Sequence, residues 1–240
     1  MLQPADFFDQ SDPLVTSLFA GCEYIWEAVS AISRHVRQLT LEKQTILGEV
    51  APGAHISNRA IYIGRGARIE PGAYVQGPAY IGEGVVVRHG ALVRENVIML
   101  PGSVLGHASE AKNSLFLPRA QAPHFNYIGD SILGHRVNLG AGTKLSNLTI
   151  ISERNMHTGL RPTIKIVING RTYDTGLPKL GAILGDDAQT GCNSVLNPGC
   201  LVGRNSLVYA NVSLRKGYYA PNQVIKLRQT IEKSTRRSLS

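Results

Sequence analysis

The chain has no stretch approaching the roughly 20 uninterrupted apolar residues that a membrane-crossing helix requires. Its opening, MLQPADFFDQSDP, is acidic where a secretory signal would be basic and then apolar. A cytosolic protein with no membrane partner is therefore expected. Cysteine is scarce too: Cys22, Cys192 and Cys200 are the only three, an odd number without C-x-x-C spacing. That argues against both a disulfide framework and a zinc cluster and leaves free thiols, so no metal is expected. Aromatic residues make up only 6% of the chain. None lies among the last basic positions, Lys233, Arg236 and Arg237, to stack on bases, and no nucleic-acid partner is expected.

What is present is a chain of 240 residues, 43% hydrophobic and 18% charged, with a formal charge of +8. Such a chain can bury one substantial core or two smaller ones, and its charge favours anionic partners. The densest cationic cluster runs from Arg215 and Lys216 through Lys226, Arg228 and Lys233 to Arg236 and Arg237. Aliphatic residues recur every six positions at Ile63, Ile69, Val75, Ile81, Val87, Val93, Met99 and Leu105. The rhythm resumes in a new phase at Leu133, Leu139, Leu145 and Ile151. It returns at Leu184, Leu196, Val202, Val208 and Leu214, with Thr190 in the one gap. A period of six fits neither an amphipathic helix nor a simple strand pair; it fits short strands separated by corners. No single hexad can hide its aliphatic residue, so the units must stack into one continuous interior column.

Three segments leave the rhythm. Residues 13 to 39 carry apolar residues at three- and four-residue steps after Asp12-Pro13, which predicts an amphipathic helix, broken near Gly21. Its stripe needs a partner, either the first coil or the same helix of another subunit. Between Ile151 and Leu184, the run PTIKIVINGRTYDTG predicts a β-hairpin turning on Asn169-Gly170, an arm or flap. From Pro221 onward, NQVIKLRQTIEKS suits either a short helix or a trailing strand. The expected organisation is a helical segment over 1–45, a stacked domain over 46–220 with the hairpin inserted at 152–180, and a basic tail over 221–240.

The six-residue rhythm resembles that of the hexapeptide-repeat proteins, which implies an all-β fold, a left-handed parallel β-helix. Three further motifs are Glu-x-Lys-Asn at 110–113, His-x-x-Tyr-x-Gly-Asp at 124–130 and Val-Asn-x-Gly-Ala-Gly-Thr at 137–143. They are similar to the acetyltransferase domain of the bifunctional glucosamine-1-phosphate acetyltransferase and N-acetylglucosamine-1-phosphate uridylyltransferase family. Later residues, KLGAILGDDAQTGCNSVLNPG, look more like the β-helical tails of sugar-phosphate nucleotidylyltransferases. That family begins with a strand and a Gly-rich, Arg-containing phosphate loop; residues 1–45 carry neither, so uridylyl transfer is not expected.

Acyl transfer from a thioester to an amine needs a base, donors for an oxyanion and cations for the substrate's phosphate. The resemblance implies His124 as the base. It also implies Arg88 and Lys112 as holders of the sugar phosphate, Tyr127 and Asn138 as sugar contacts, and Lys179 near the same site. Ala141, Asn147 and Ala210 match positions along the acetyl-coenzyme A groove, with Arg228, or else Lys226, reaching the coenzyme's phosphates. Cys192 stands where the family has a serine that helps stabilise the oxyanion, and the family's Asn-Tyr-Asp-Gly becomes Asn147-Leu148-Thr149-Ile150. His89, His107 and His135 read as structural or exposed residues. The resemblance implies a homotrimeric N-acetyltransferase acting on an amino-sugar phosphate, with acetyl-coenzyme A as co-substrate and the active site between subunits. The alternative is an idle module that binds a sugar nucleotide or assembles with a separate nucleotidylyltransferase.

Overall fold

A computed structural model describes residues 2–57 and 60–235. Short strands alternate with corners, so that each turn of the chain lays one strand on each of three parallel sheets. The first sheet runs from Thr45–Ile46 to Gly217–Tyr219 in nine strands, and the second from Glu49–Val50 to Val224–Ile225 in nine. The third has eight strands, from His55–Ile56 to Ser213–Leu214. The hexad residues point inward, Ile63, Ile69, Val75, Ile81, Val87, Val93, Met99 and Leu105 all being at most 1% exposed. The exception is Ile151, expected to continue the second run, which is 86% exposed because the chain has left the coil after Leu145. Thr190 takes its place in the interior because its hydroxyl meets that of Thr143 at 2.8 Å, satisfying both. The strand at Val224–Ile225 settles the tail in favour of a trailing strand; Arg236 and Arg237 lie outside the described residues.

The expected N-terminal helix is three. α1 (Pro4–Phe7) precedes α2 (Pro13–Leu18), whose N-terminus is capped by Asp12 accepting the Leu14 N–H at 2.7 Å. The chain then breaks around Gly21, at φ 80°, before α3 (Glu27–Thr40). Val29, Ile32 and Val36 of α3 share one buried cluster with Ile98, Leu115, Ile132, Ile183 and Leu201, the outward residues of the first sheet, and α3 itself packs on the strands of Ile98 and Leu115. This is why strands such as Val97–Met99, Ser114–Phe116 and Cys200–Val202 are buried on both faces, with no polar alternation. The hairpin forms as expected, Lys165–Ile168 paired antiparallel with Arg171–Asp174, with Asn169 and Gly170 both at positive φ. Its Ile164, Ile166 and Ile168 join the same apolar cluster. One face of the prism is thus sealed by the chain's own helices and hairpin, and ligands must approach the second and third faces or the corner between them.

Asp186 fastens this covering to the prism. Its carboxylate accepts the Asp9 N–H at 2.7 Å and the His135 N–H at 2.8 Å, and its own N–H donates to the Phe7 carbonyl at 3.0 Å. An amide in place of the carboxylate keeps one acceptor oxygen and strands one buried donor. Asp186→Asn is expected to cost about 1–3 kcal/mol, read as a melting temperature lower by several degrees, with earlier proteolysis of residues 2–26.

Candidate active site

The rhythm slips because two strands run long. Val104–His107 and Gln121–His124 each have four residues where most strands of this sheet have two, carrying the chain past the usual corner. Phe125 follows in a left-handed conformation, φ 53°, which a bulky residue adopts only where its surroundings enforce it. The turn is held by Asn126, 2% exposed, whose side-chain oxygen accepts the His124 N–H at 3.0 Å and whose amide donates to the Gly140 carbonyl at 2.8 Å. The His124 ring itself is exposed and has no side-chain partner among the described residues.

Register places four of the expected residues in one column. Gln121 pairs with Asn138, Asn138 with Gln189, and Gln189 with Leu207, so three residues further on His124, Ala141, Cys192 and Ala210 succeed one another up the corner. The backbone confirms it. Gly142 N–H donates to the His124 carbonyl at 2.9 Å, Asn193 to Ala141 at 2.8 Å and Asn211 to Cys192 at 2.9 Å. Among the described residues the N–H groups of Ala141, Cys192 and Ala210 have no backbone partner, so the column presents a row of free donors above the imidazole. No periodicity in the sequence signals that row; it arises from the corner geometry. Asn138 lies apart, on the outer face of the second sheet between Gln121 and Gln189.

Tyr127 stands on the third sheet between Glu110 and Lys144, its hydroxyl 3.4 Å from the Asn147 side-chain oxygen. Burial, reinforced by the charges of Glu110 and Asp130, pushes its phenol above the usual value, so it remains a neutral donor. Asp130, 6% exposed, accepts from Asn113 at 2.8 Å and from Asn147 at 2.5 Å, which ties three successive coils together. The return of the hairpin brings Lys179 beside Asn147, since the Leu180 N–H donates to the Asn147 carbonyl at 3.1 Å.

Lys112 lies 3.7 Å from Glu95. Its neighbour in the same column, one coil below, is Arg94, which pairs with Glu110 at 3.0 Å and Glu95 at 3.6 Å. Arg88 lies instead at the end of the second sheet, where it follows Val87 in the column of Gly106 and Pro123. The structure therefore brings Arg94, not Arg88, next to Lys112. An eighteen-residue step back from Lys112, the length of one coil in this part of the chain, was the sequence signal for it. Arg228 lies beyond the last strand without a partner among the described residues, and Lys226 covers the Tyr209 ring at 5.1 Å.

The three thiols differ sharply. Cys192 is exposed, whereas burial pushes Cys200 up to about 12 and, with the charge of Glu27, raises Cys22. Because the thiolate is the nucleophile, alkylation of the native protein near neutral pH is expected to mark Cys192 first and Cys200 only after unfolding. Peptide mass spectrometry reads the order directly.

The six-residue repeats and stacked parallel sheets define a hexapeptide-repeat protein of the left-handed β-helix class. Residues 60–95 match the family described as bacterial transferase hexapeptide (six repeats). The chain is 36% identical over 186 residues to the bifunctional protein GlmU of Methanococcus maripaludis, covering 78% of this chain and 42% of that one. It is 32% identical over 163 residues to a bifunctional sugar-1-phosphate nucleotidylyltransferase/acetyltransferase of Sulfurisphaera tokodaii, covering 68% and 38%. The chain thus spans less than half the length of these relatives. A solved Arabidopsis UDP-N-acetylglucosamine acyltransferase is similar at 14% identity over 73% of this chain and 71% of that one, with a TM-score of 0.38. No helix among the described residues is long and apolar enough to cross a membrane.

Proposed function

We propose that the chain is an acyltransferase that moves an acetyl group from acetyl-coenzyme A to the amine of an amino-sugar phosphate, glucosamine-1-phosphate foremost. The observation that carries the reading is the corner column: an exposed imidazole at its foot and three free N–H donors on small side chains above it. His124 takes the proton from the amine as its nitrogen attacks the thioester carbonyl. The oxyanion is met by the Cys192 N–H, a role that does not depend on whether the side chain is serine or cysteine. The carbon–sulfur bond breaks, the imidazolium returns the proton to the thiolate, and an amide and a free thiol leave. Arg94 and Lys112 hold the sugar's phosphate, with Tyr127 and Lys179 on the same face.

His124 has no orienting side chain among the described residues, which favours a homotrimer whose clefts are completed by a neighbouring copy. Sedimentation should then give three times the mass of the 240-residue chain. A thiol-release assay with acetyl-coenzyme A and a panel of amino sugars, with and without phosphate, tests the reading. Turnover with a phosphorylated amino sugar supports it; absence of turnover together with tight binding of a sugar nucleotide favours the idle module. On the side of that second reading stand Cys192, in place of the family's serine, and the segment after Asn147, where Leu148, Thr149 and Ile150 replace the family's Tyr-Asp-Gly.

A further inference from the structure

The donors of the corner column owe their direction to carbonyl groups on the other side of the chain. A trans peptide unit points its C=O and its N–H in opposite directions. The N–H groups of Ala141, Cys192 and Ala210 therefore face outward for as long as the carbonyls of Gly140, Gly191 and Tyr209 are held inward. On the lower coils a backbone turn bond does the holding: the Ala73 N–H donates to the Glu70 carbonyl at 3.2 Å, Ala91 to Arg88 at 3.1 Å and Thr143 to Gly140 at 3.1 Å. On the two upper coils that bond is missing among the described residues, for neither the Ser194 nor the Val212 N–H donates to the carbonyl three residues back.

The Ser194 side chain takes its place at both. Its hydroxyl lies 2.8 Å from the Gly191 carbonyl and 3.0 Å from the Tyr209 carbonyl, so one shared proton anchors the peptide units of Cys192 and Ala210 together. The residue is fully buried in the column of Asn126 and Thr143, each standing just before a paired strand of the third sheet. A buried hydroxyl costs free energy unless it is hydrogen-bonded, and lower down the same column is filled by Ala73 and Ala91. Other buried serines bond differently: the Ser114 and Ser206 hydroxyls reach carbonyls two residues back, Lys112 at 2.7 Å and Arg204 at 3.3 Å. Ser194 reaches three residues back, to the carbonyl that shares a peptide unit with the Cys192 N–H. Thr143 adds only a long contact to the same carbonyl, at 3.4 Å.

We propose that Ser194 is a positioning residue for acyl transfer, which aims the Cys192 N–H at the place where the oxyanion forms and holds the Ala210 N–H alongside it. This rests on the acyltransferase reading above. An oxyanion donor is effective only when it already points at the developing charge. Gly191, without a Cβ, puts no steric restraint on the peptide unit that follows it. The hydroxyl of Ser194 is what fixes that plane.

Thiol release per folded chain, with kcat and the KM for acetyl-coenzyme A taken separately, tests the role. Ser194→Ala is expected to lower kcat about 100-fold, the lower end of the range for losing one oxyanion donor. The KM should change by less than about threefold, because the oxyanion exists only in the transition state. Ser194→Thr keeps the hydroxyl in a place that Thr143 fills one coil below, and should hold kcat within about threefold of the parent. Ser206→Ala removes a buried hydroxyl at another corner; it should lower the melting temperature by a similar few degrees and leave kcat unchanged. Should Ser194→Ala fail to fold, Ser194→Cys, close in size but a weaker donor, should show the same split at about tenfold. Parent kcat in Ser194→Ala, or an equal loss in Ser206→Ala, would overturn the role and leave the acyltransferase reading standing. A rise in KM without a fall in kcat would also overturn it, assigning the hydroxyl to binding of the donor. No turnover by the parent chain with any amino-sugar phosphate would remove the acyltransferase reading and the role with it.

Discussion

His124→Ala is expected to lower acetyl-coenzyme A-dependent thiol release by about 100- to 10,000-fold, the range for loss of a positioned general base. The fold should be untouched, because the ring makes no side-chain hydrogen bond among the described residues and stands exposed at the corner; what fixes the turn is the backbone N–H held by Asn126. His107 supplies the control. It occupies the same column one coil below, its ring stacked on His89 at 4.0 Å and edge-on to Phe125 at 5.2 Å. His107→Ala should therefore change the rate only a few-fold. Melting curves of both variants should superimpose on the parent to within a few degrees. If His124→Ala retained the parent rate, the imidazole would not be the base. If His107→Ala lost as much as His124→Ala, the stack and not the single ring would govern the rate.

Gly106→Ala is expected to be among the most damaging single-methyl changes in the protein. A Cβ at this position would lie 1.7 Å from the Pro123 carbonyl oxygen and 2.1 Å from its carbon, and backbone atoms cannot rotate aside. The coils must part where the two long strands pair, costing about 3 kcal/mol or more, or some ten degrees of melting temperature. Pro123 immediately precedes His124, so turnover should fall further than the loss of folded protein explains. Gly84→Ala is the comparison: φ is 64° there, but a Cβ meets nothing within 4 Å. Its cost is the left-handed conformation alone, about 1 kcal/mol, with no effect on the rate. Differential scanning calorimetry paired with the thiol-release assay separates the two. Equal melting temperatures for the two variants would contradict the close approach of the coils at Gly106.

The stacked fold was legible because a six-residue period has few physical solutions: each buried aliphatic residue needs a turn on both sides. The hairpin was legible because Asn169-Gly170 favours positive φ at both positions. The packing of the helices was open from sequence, since the stripe of α3 is equally suited to its own prism or to a neighbour. The doubly buried strands around Ile98, Leu115 and Leu201 resolve it, yet their outward residues fall outside the hexad pattern and so gave no periodic signal. Within the site, His124, Tyr127 and Lys112 stand in short motifs and could be named. Arg94 was missed because it carries no local motif, and only coil length links it to Lys112. Asp130 and Asn126 act by tying side chains or backbone groups of successive coils, contacts between residues some 14 to 17 positions apart that a linear reading does not show. The hairpin hides the closeness of Asn147 and Lys179 in the same way.

The most direct test of the corner column as the seat of the acyl donor is the alkylation rate of Cys192 with and without coenzyme A. Because Cys192 lies between Ala141 and Ala210 above the imidazole, bound coenzyme should cover it. Its modification should slow several-fold as coenzyme A approaches saturation, while unfolded protein reacts at one rate throughout. An unchanged rate for native Cys192 across the full range of coenzyme A would place the donor elsewhere, or nowhere, on this chain.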